Sequence, residues 1–556
     1  MKRIFEDHKL LLTLLLFLIV SLISIYLTDL NGHIWSFLGM NNDGRFHVMR
    51  MEGLYEALKY GQFFPVVNMS FLGGFGYISN IFYANLWLYP VAFLRLIGLT
   101  TIQSFIVFYI VLNFVTFLIS FGTYYQVSRN YDKSLLFSFI YTLSVYRIFD
   151  MVRRFDIGET LTLTFLPIVI LGIYEIFYGD ENKWLYLTLG MVMVIYSHAL
   201  SPILIAIFIF WIILFRIKIL IKEPQRILKL FYAGIVSLAL SLAYFLPMFE
   251  QLKHTQFKLT NSPLIDVSQS GMTIKQLFSW SVTNDLYNQN IGLIMLIVAI
   301  IIPFIIWKIK TPVIRDFSII GEILLFMTTD LFPWKFFVKT PLNMIQFPWR
   351  LDMLITILFA ICLASDPLNW FNSDWKKIII VMLTLGLIVN SEDTLIRNHP
   401  YEYDSYKSFN ELDVYSIGGG EEYLPQDANL SDLHKAAHVP VVKSGTAKIK
   451  NFSQQGSKLA FDFQNAKNAT ITIPIIAYYG YSSKESTGQV SRLTMDQKSN
   501  GLGKITINGS GCVEINYYKT FIQKGSKILS GISLLVLILC IIFKKRMKNR
   551  VSLINK

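Results

Sequence analysis

The sequence predicts an α-helical polytopic membrane protein of about twelve transmembrane helices, with an extracytoplasmic β-sandwich-like domain before the last helix. Three observations lead there. Hydrophobic residues make up 53% of the 556 residues and charged residues only 16%, whereas soluble domains carry about 25% charge. Apolar runs of the roughly 17–25 residues needed to cross a hydrocarbon core recur along most of the chain. A single sizeable polar region, 392–524, interrupts them with balanced charge and β-prone segments.

Apolar runs place spans near 9–28, 102–125, 134–151, 160–178, 184–200, 202–221, 229–249, 291–307, 317–333, 351–365, 376–391 and 526–543. The first follows MKRIFEDHK without a small-residue cleavage site, so an uncleaved span is expected rather than a signal peptide. The run 81–100 is short and contains Pro90 and Arg95, and is read as a juxtamembrane or re-entrant helix. The net charge of +13 does not indicate nucleic acid, because the surplus Lys and Arg sit in short loops. SRNYDK, RIKILIKEPQRILK, WKIKTPVIR and the tail KKRMKNR all fall on one side if the N-terminus is cytoplasmic, the positive-inside pattern. Both termini are then cytoplasmic in a multi-pass protein of the cell membrane. Three cysteines, two of them inside apolar runs, exclude a disulfide framework.

The domain division expected is 1–391 for the transmembrane part, with an outer loop and juxtamembrane helices over 29–101, then 392–524 and a last span with basic tail over 525–556. In 392–524, KLAFDFQ, ATITIPIIAYY, KITING and CVEINYY alternate or are β-rich, and Gly-Ser, Asn-Gly and Gly-Leu-Gly turns separate them. A small sandwich outside the cell is the natural reading.

The same orientation gathers the unusual polar clusters. DGRFHVMR (43–50), VYRIFDMVRRFDIGE (145–159), YSHALSP (196–202) and NMIQFPWR (343–350) all lie at outer span ends. Asp43, His47 and Arg50 are spaced by four and three and share one helical face. Asp43 stands where an N-cap would, so a capping Asp on a solvated interfacial helix is one reading. A carboxylate poised to accept a proton or hold a hydroxyl is the other. Glu159 follows Arg153 and Arg154: either a helix-start acid with two interfacial anchors, or part of a site. His198 is open between an interfacial and a functional role. Gln346 and Arg350 belong either to an aromatic belt or to a lipid-phosphate contact, since guanidinium matches phosphate oxygens well. Asp43 and His47 could share a divalent cation, but two ligands at i and i+4 do not define a metal site. Walker A, GxSxG, HExxH and CxxC patterns are absent, which removes support for ATP-driven transport and zinc hydrolysis.

One N-terminal span, an acidic first outer loop, juxtamembrane helices and an acidic second outer loop together resemble the GT-C superfamily of polytopic glycosyltransferases. DGRFHVMRMEGLYEALKYGQFFP, GGFGY, FYANLWLYP, RRFDIGE, SHALSP and IQFPWR are similar to bacterial YfhO-like membrane proteins, some labelled 6-pyruvoyl-tetrahydropterin-synthase-related. No three-His ligand set of that soluble enzyme is present. The resemblance covers residues 1–365 and the remainder in outline. It implies a sugar donor carried on polyprenyl phosphate, a cell-envelope glycan or glycolipid acceptor, and contact with membrane lipids. It also implies that Asp43 matches the catalytic first-loop acid and Glu159 the second-loop acid, where relatives often have Asp. His47 would support Asp43, while Arg50, Arg153, Arg154, His198, Gln346 and Arg350 would bind substrate or phosphate. A lipid-linked substrate flippase and a non-catalytic envelope-assembly scaffold are the rival expectations.

Overall fold

The computed structural model describes residues 2–26, 43–261, 265–398, 413–485 and 489–554. The outer-loop stretch 29–42 and the start of the expected β domain at 399–412 lie outside the described residues. In chain order the helices begin with α1 (Lys2–Tyr26), α2 (Gly44–Lys59), α3 (Ser79–Phe82), α4 (Tyr89–Leu96), α5 (Thr101–Ser128) and α6 (Tyr131–Thr142). α7 (Val145–Phe149) runs into a π-helical turn, Asp150–Arg154, and is followed by α8 (Ile157–Phe177), α9 (Leu185–Ile195) and α10 (Ser201–Lys222). Then come α11 (Gln225–Leu240), α12 (Leu242–His254), α13 (Lys258–Asn261), α14 (Ile274–Thr283), α15 (Gly292–Ile305) and α16 (Pro312–Met327). α17 (Asp352–Ser365), α18 (Asp374–Asn398), α19 (Leu430–Lys435) and α20 (Phe521–Ile554) complete the set. Six strands lie between α19 and α20: β1 (Val441–Gln455), β2 (Lys458–Ile476), β3 (Tyr481–Glu485), β4 (Gln489–Val490), β5 (Thr494–Asp496) and β6 (Leu502–Tyr517).

Seven helical segments among the described residues are long and apolar enough to cross a bilayer, which makes this a membrane-embedded helical protein by length and composition. Two further expected spans are bent, α6 with α7 and its π turn by 42° and α11 with α12 by 68°. The remaining three coincide with α9, α15 and α16, of 11, 14 and 16 residues. Among the described residues seven segments meet this length-and-composition test, or nine if each bent pair is one span, and the twelve expected are not shown. Apolar content alone does not fix helix length: breaks such as Ser241 and the Leu143–Ser144 step carry no hydropathy signal. The run 81–100 holds only short pieces, and its helix α4 of 8 residues extends about 12 Å, too short to span.

The chain forms two compact units that are discontinuous in sequence, unlike the linear division expected. One comprises Met1–Gly61, Asn85–Lys229 and Ser262–Gly420, and the other Gln62–Ala84, Leu230–Asn261 and Glu421–Lys556. In the first, α8 and α9 pack closely because Gly172 and Gly190 face each other's helices. A Cβ on Gly190 would lie 2.8 Å from the Val169 backbone nitrogen, the small-residue contact that lets membrane helices approach. Pro167 inside α8 removes the amide that would bond the Leu163 carbonyl, and the buried Tyr141 hydroxyl donates to that carbonyl instead.

In the second unit the strands form one antiparallel sheet, ordered β1-β2-β6-β3 with β4 and β5 also paired to β6. Register pairs such as Phe461↔Val513 and Ile471↔Ile505 put apolar side chains on one face. Among the described residues this is a single sheet and not the two-sheet sandwich expected. Its second layer comes from distant segments: Ile476 donates from its amide to the Phe75 carbonyl at 2.9 Å, and Gln251 of α12 donates to the Tyr479 carbonyl at 2.7 Å. Phe82 stacks on Tyr423 at 4.3 Å and Phe75 on His438 at 4.3 Å. Alternation in a strand reports that one face is buried, but not what covers it.

Candidate functional site

The polar clusters at 43–50, 150–159, 198 and 346–352 meet in the first unit, around Arg154. The π turn Asp150–Arg154 and a left-handed Phe155, at φ 54°, reverse the chain just before α8. Positive φ in a bulky residue is uncommon and is sustained only where packing over-determines it. Here the buried Phe155 ring meets Phe105 and Tyr109 edge-on, each at 5.4 Å. The reversal aims Arg154 and Asp156 into the same pocket of charge.

Arg154 is 6% exposed and faces four carboxylates. Its guanidinium donates to Asp150 at 2.5 Å, Glu159 at 2.8 Å and Asp156 at 3.1 Å, and Asp43 lies 3.6 Å away. The ring of Trp349 lies under it at 4.9 Å. A buried guanidinium with several fixed donors is the side chain best suited to compensate several carboxylates at once. Arg154 is thus already the counter-ion of these carboxylates, and an incoming anion would meet its carboxylate shell.

Asp43 is at the N-cap position of α2, but its backbone is helical (φ −89°, ψ −6°) and its side chain makes no cap hydrogen bond. Its amide donates to the Arg154 carbonyl at 3.2 Å. The long-range guanidinium competes for the carboxylate with the local amides of α2. Asp43 retains 40% side-chain exposure, against 5% or less for the other carboxylates paired with Arg154. It is the acid of this group that a substrate could reach.

The polar face of α2 is buried, against the reading of a solvated interfacial helix: His47 is 1% and Arg50 2% exposed. Arg50 donates to His47 Nδ1 at 3.0 Å and to Asn85 at 3.2 Å. Since guanidinium only donates, Nδ1 accepts and the ring proton sits on Nε2, which faces Asp156 at 3.6 Å. Burial alone would raise the Asp156 carboxyl, but the His47 hydrogen bond and the charges of His198 and Arg154 hold it well below the usual carboxylate range. Asp156 also caps α8, accepting from the Glu159 amide at 3.1 Å.

Glu159 is fully buried, with Tyr146 donating to it at 2.5 Å and Arg350 3.7 Å away. Its oxygens are thus already held by protein groups. His198, in the turn between α9 and α10, bonds Ser201 through Nδ1 at 2.8 Å. Burial pushes its imidazole down, against the opposite pull of Asp156 and Glu159. Gly158 makes room for that turn: a Cβ there would lie 2.9 Å from the Ser197 carbonyl and 3.3 Å from the His198 ring. Arg350 donates to the Ile345 carbonyl and to Gln346, both at 2.9 Å, so these two sequence candidates meet. Gln346 itself adopts φ 65°. Arg153 is the outlier, lying over the Tyr287 ring at 4.2 Å.

Among the described residues, Asp156, Glu159 and His198 form one group with three ligand atoms within 4.8 Å of one another. Imidazole with two carboxylates suits zinc or manganese chemistry, but the same carboxylates already bond Arg154, so a cation must displace a guanidinium. His47 is set against Asp156 and Arg50, and neither it nor Asp43 belongs to that group of ligand atoms.

Sequence reasoning missed Asp150, Asp156, Asp352 and Arg147. Asp352 is fully buried beside Glu159, and neither of its oxygens has a hydrogen-bond partner among the described residues. Arg147 is fully buried and donates to Asn113 at 2.8 Å and Thr116 at 3.0 Å, a polar thread into α5. Charged residues inside apolar runs are the signal that could have found them.

No protein-family model matches the chain. It is similar, at 24% identity, to an uncharacterized protein of Lactococcus lactis subsp. cremoris (strain MG1363), with 92% of each chain covered.

Proposed function

We propose that this protein is an integral-membrane glycosyltransferase of the cell membrane, working on its outer face with both termini in the cytoplasm and the sheet outside. Its donor is a sugar on polyprenyl phosphate and its acceptor a hydroxyl of a cell-envelope polymer or glycolipid. The observation that carries this reading is one partly exposed acid, Asp43, set 3.6 Å from the buried Arg154 that three enclosed carboxylates also share. Asp43 takes the proton of the acceptor hydroxyl, or orients it, as the oxygen attacks the sugar. The sugar–phosphate bond breaks and polyprenyl phosphate leaves with the electron pair. Arg350, 3.7 Å from Glu159, and Arg153, over the Tyr287 ring, stabilise the charge that develops on the phosphate. His47, Arg50 and Glu159 hold the cluster in place, and His198 and Gln346 fix its two flanking turns. No metal is required in this scheme.

The test is transfer of labelled sugar from polyprenyl-phosphate donor by the purified protein to extracted envelope acceptors. Asp43→Asn is expected to lower transfer by about 10²–10⁴-fold at unchanged thermal stability, since Asp43 is partly exposed. Undiminished transfer by that variant, or none by the wild type, would refute the reading. A flippase for lipid-linked substrates is the second reading, favoured by the two bent helix pairs at 42° and 68°. It predicts donor movement in vesicles and no covalent product in detergent.

A further inference from the structure

A second cavity, far along the bundle from Arg154, has no part in the chemistry above. It lies among α5, α6, α8, α16 and α17 and has a volume of about 330 Å³, within the range of about 300–1,000 Å³ typical of small-ligand sites. α6, α7 and the π turn form one bent span, in which Lys133 stands near one end and Arg154 at the other. The cavity is at the Lys133 end. Its wall is mainly apolar, with Phe137, Ile170, Ile314, Phe317 and Ile361. Lys133 is the one charged residue among those lining it, and no carboxylate lines it. Its ammonium donates to the Ser365 carbonyl at 2.5 Å, which fixes it at the rim. The adjacent Asp132 does not neutralise it, because that carboxylate faces Lys9 at 3.9 Å and Lys377 at 3.8 Å.

An apolar chamber with a single fixed cation at its mouth is complementary to an apolar chain ending in an anion. The cavity lies within a membrane-embedded helical bundle, so the ligand that meets this description is at hand in the surrounding bilayer. We propose that this cavity binds one acyl chain of an anionic membrane phospholipid, whose phosphate sits on Lys133. The bound lipid fills the gap between α8 and α16 at the end of the bundle remote from Arg154. This inference does not rest on the transferase reading.

The experiment uses full-length protein in an uncharged detergent, with lipid retention read by native mass spectrometry. Phosphatidylglycerol, phosphatidylcholine of the same chains and glycerol phosphate are the probes. Wild-type protein is expected to retain one phosphatidylglycerol about tenfold more tightly than phosphatidylcholine, the scale of one charge-assisted contact, and to ignore glycerol phosphate. Lys133→Gln should abolish that preference while Lys133→Arg keeps it, and Ile361→Trp, which fills the chamber, should remove retention of both lipids. Equal retention of the two lipids by wild type, a preference that survives Lys133→Gln, or retention that survives Ile361→Trp overturns the proposal. Competition by glycerol phosphate overturns it too, by assigning the site to a free anion. Monodisperse gel filtration of each variant, and the Lys133→Arg control, keep misfolding from imitating the expected loss.

Discussion

Replacing Arg154 by Met should destabilise the first unit more than any other single substitution at the site. The guanidinium is 6% exposed and holds Asp150 at 2.5 Å, Glu159 at 2.8 Å and Asp156 at 3.1 Å. Met keeps the length and apolar volume of the stem, so packing on Trp349 is largely retained and the lost quantity is charge. Removing one partner of a buried ion pair typically costs about 3–5 kcal/mol, because the other is left desolvated and uncompensated. Three buried carboxylates share this one cation, so the upper end of that range applies, limited by proton uptake onto one of them. For a large chain this corresponds to a fall in Tm on the order of 5 °C. The assay is thermal unfolding in detergent of four proteins: wild type, Arg154→Met, Glu159→Gln and the double variant. If the cost is uncompensated charge, removing the Glu159 carboxylate as well should recover about 1–3 kcal/mol of it, a coupling read from the double-mutant cycle. An Arg154→Met protein as stable as wild type, or a double variant whose losses simply add, would refute the counter-ion assignment.

Two other outcomes follow from the same geometry. Burial lowers the His198 pKa, so its folded-state value lies below its unfolded one and the unfolded chain binds more protons as pH falls. Its contribution is complete above the ordinary histidine pKa of about 6.5 and is lost progressively below it; Asp156, also held low, loses its contribution only at more acidic pH. Tm should therefore fall between pH 7 and pH 5, and His198→Gln should flatten that part of the profile. Gly158→Ala places a methyl 2.9 Å from the Ser197 carbonyl and should cost about 1–3 kcal/mol as an overpacking change, whereas a Gly122→Ala control, with open space, should be neutral.

Much of the site's membership was legible in local sequence. Asp43, His47, Arg154, Glu159, His198 and Arg350 were candidates because charged residues beside apolar runs are costly and stand out. Their partners were not legible. Spacing put Asp43, His47 and Arg50 on one face of α2, yet it could not show that this face is buried against Asn85 and Asp156. It also could not show that Asp43 pairs with Arg154 rather than capping its own helix. Asp150 and Asp352 went unnoticed because a single acid in an apolar context reads locally as a helix terminus.

By itself the sequence determined the membrane setting, the positions of the apolar helices and the β character of the region before α20. Hydropathy and alternation are short-range properties, and a window of twenty residues contains them. Only the tertiary structure decided that the strands make one sheet whose second layer comes from Phe75, Phe82 and α12. It also decided that Arg154, more than a hundred residues beyond Asp43, is the cation about which the buried carboxylates arrange. The reason is physical: burial sets which charges must find a partner, but the chain's path in space sets which partner is within 4 Å.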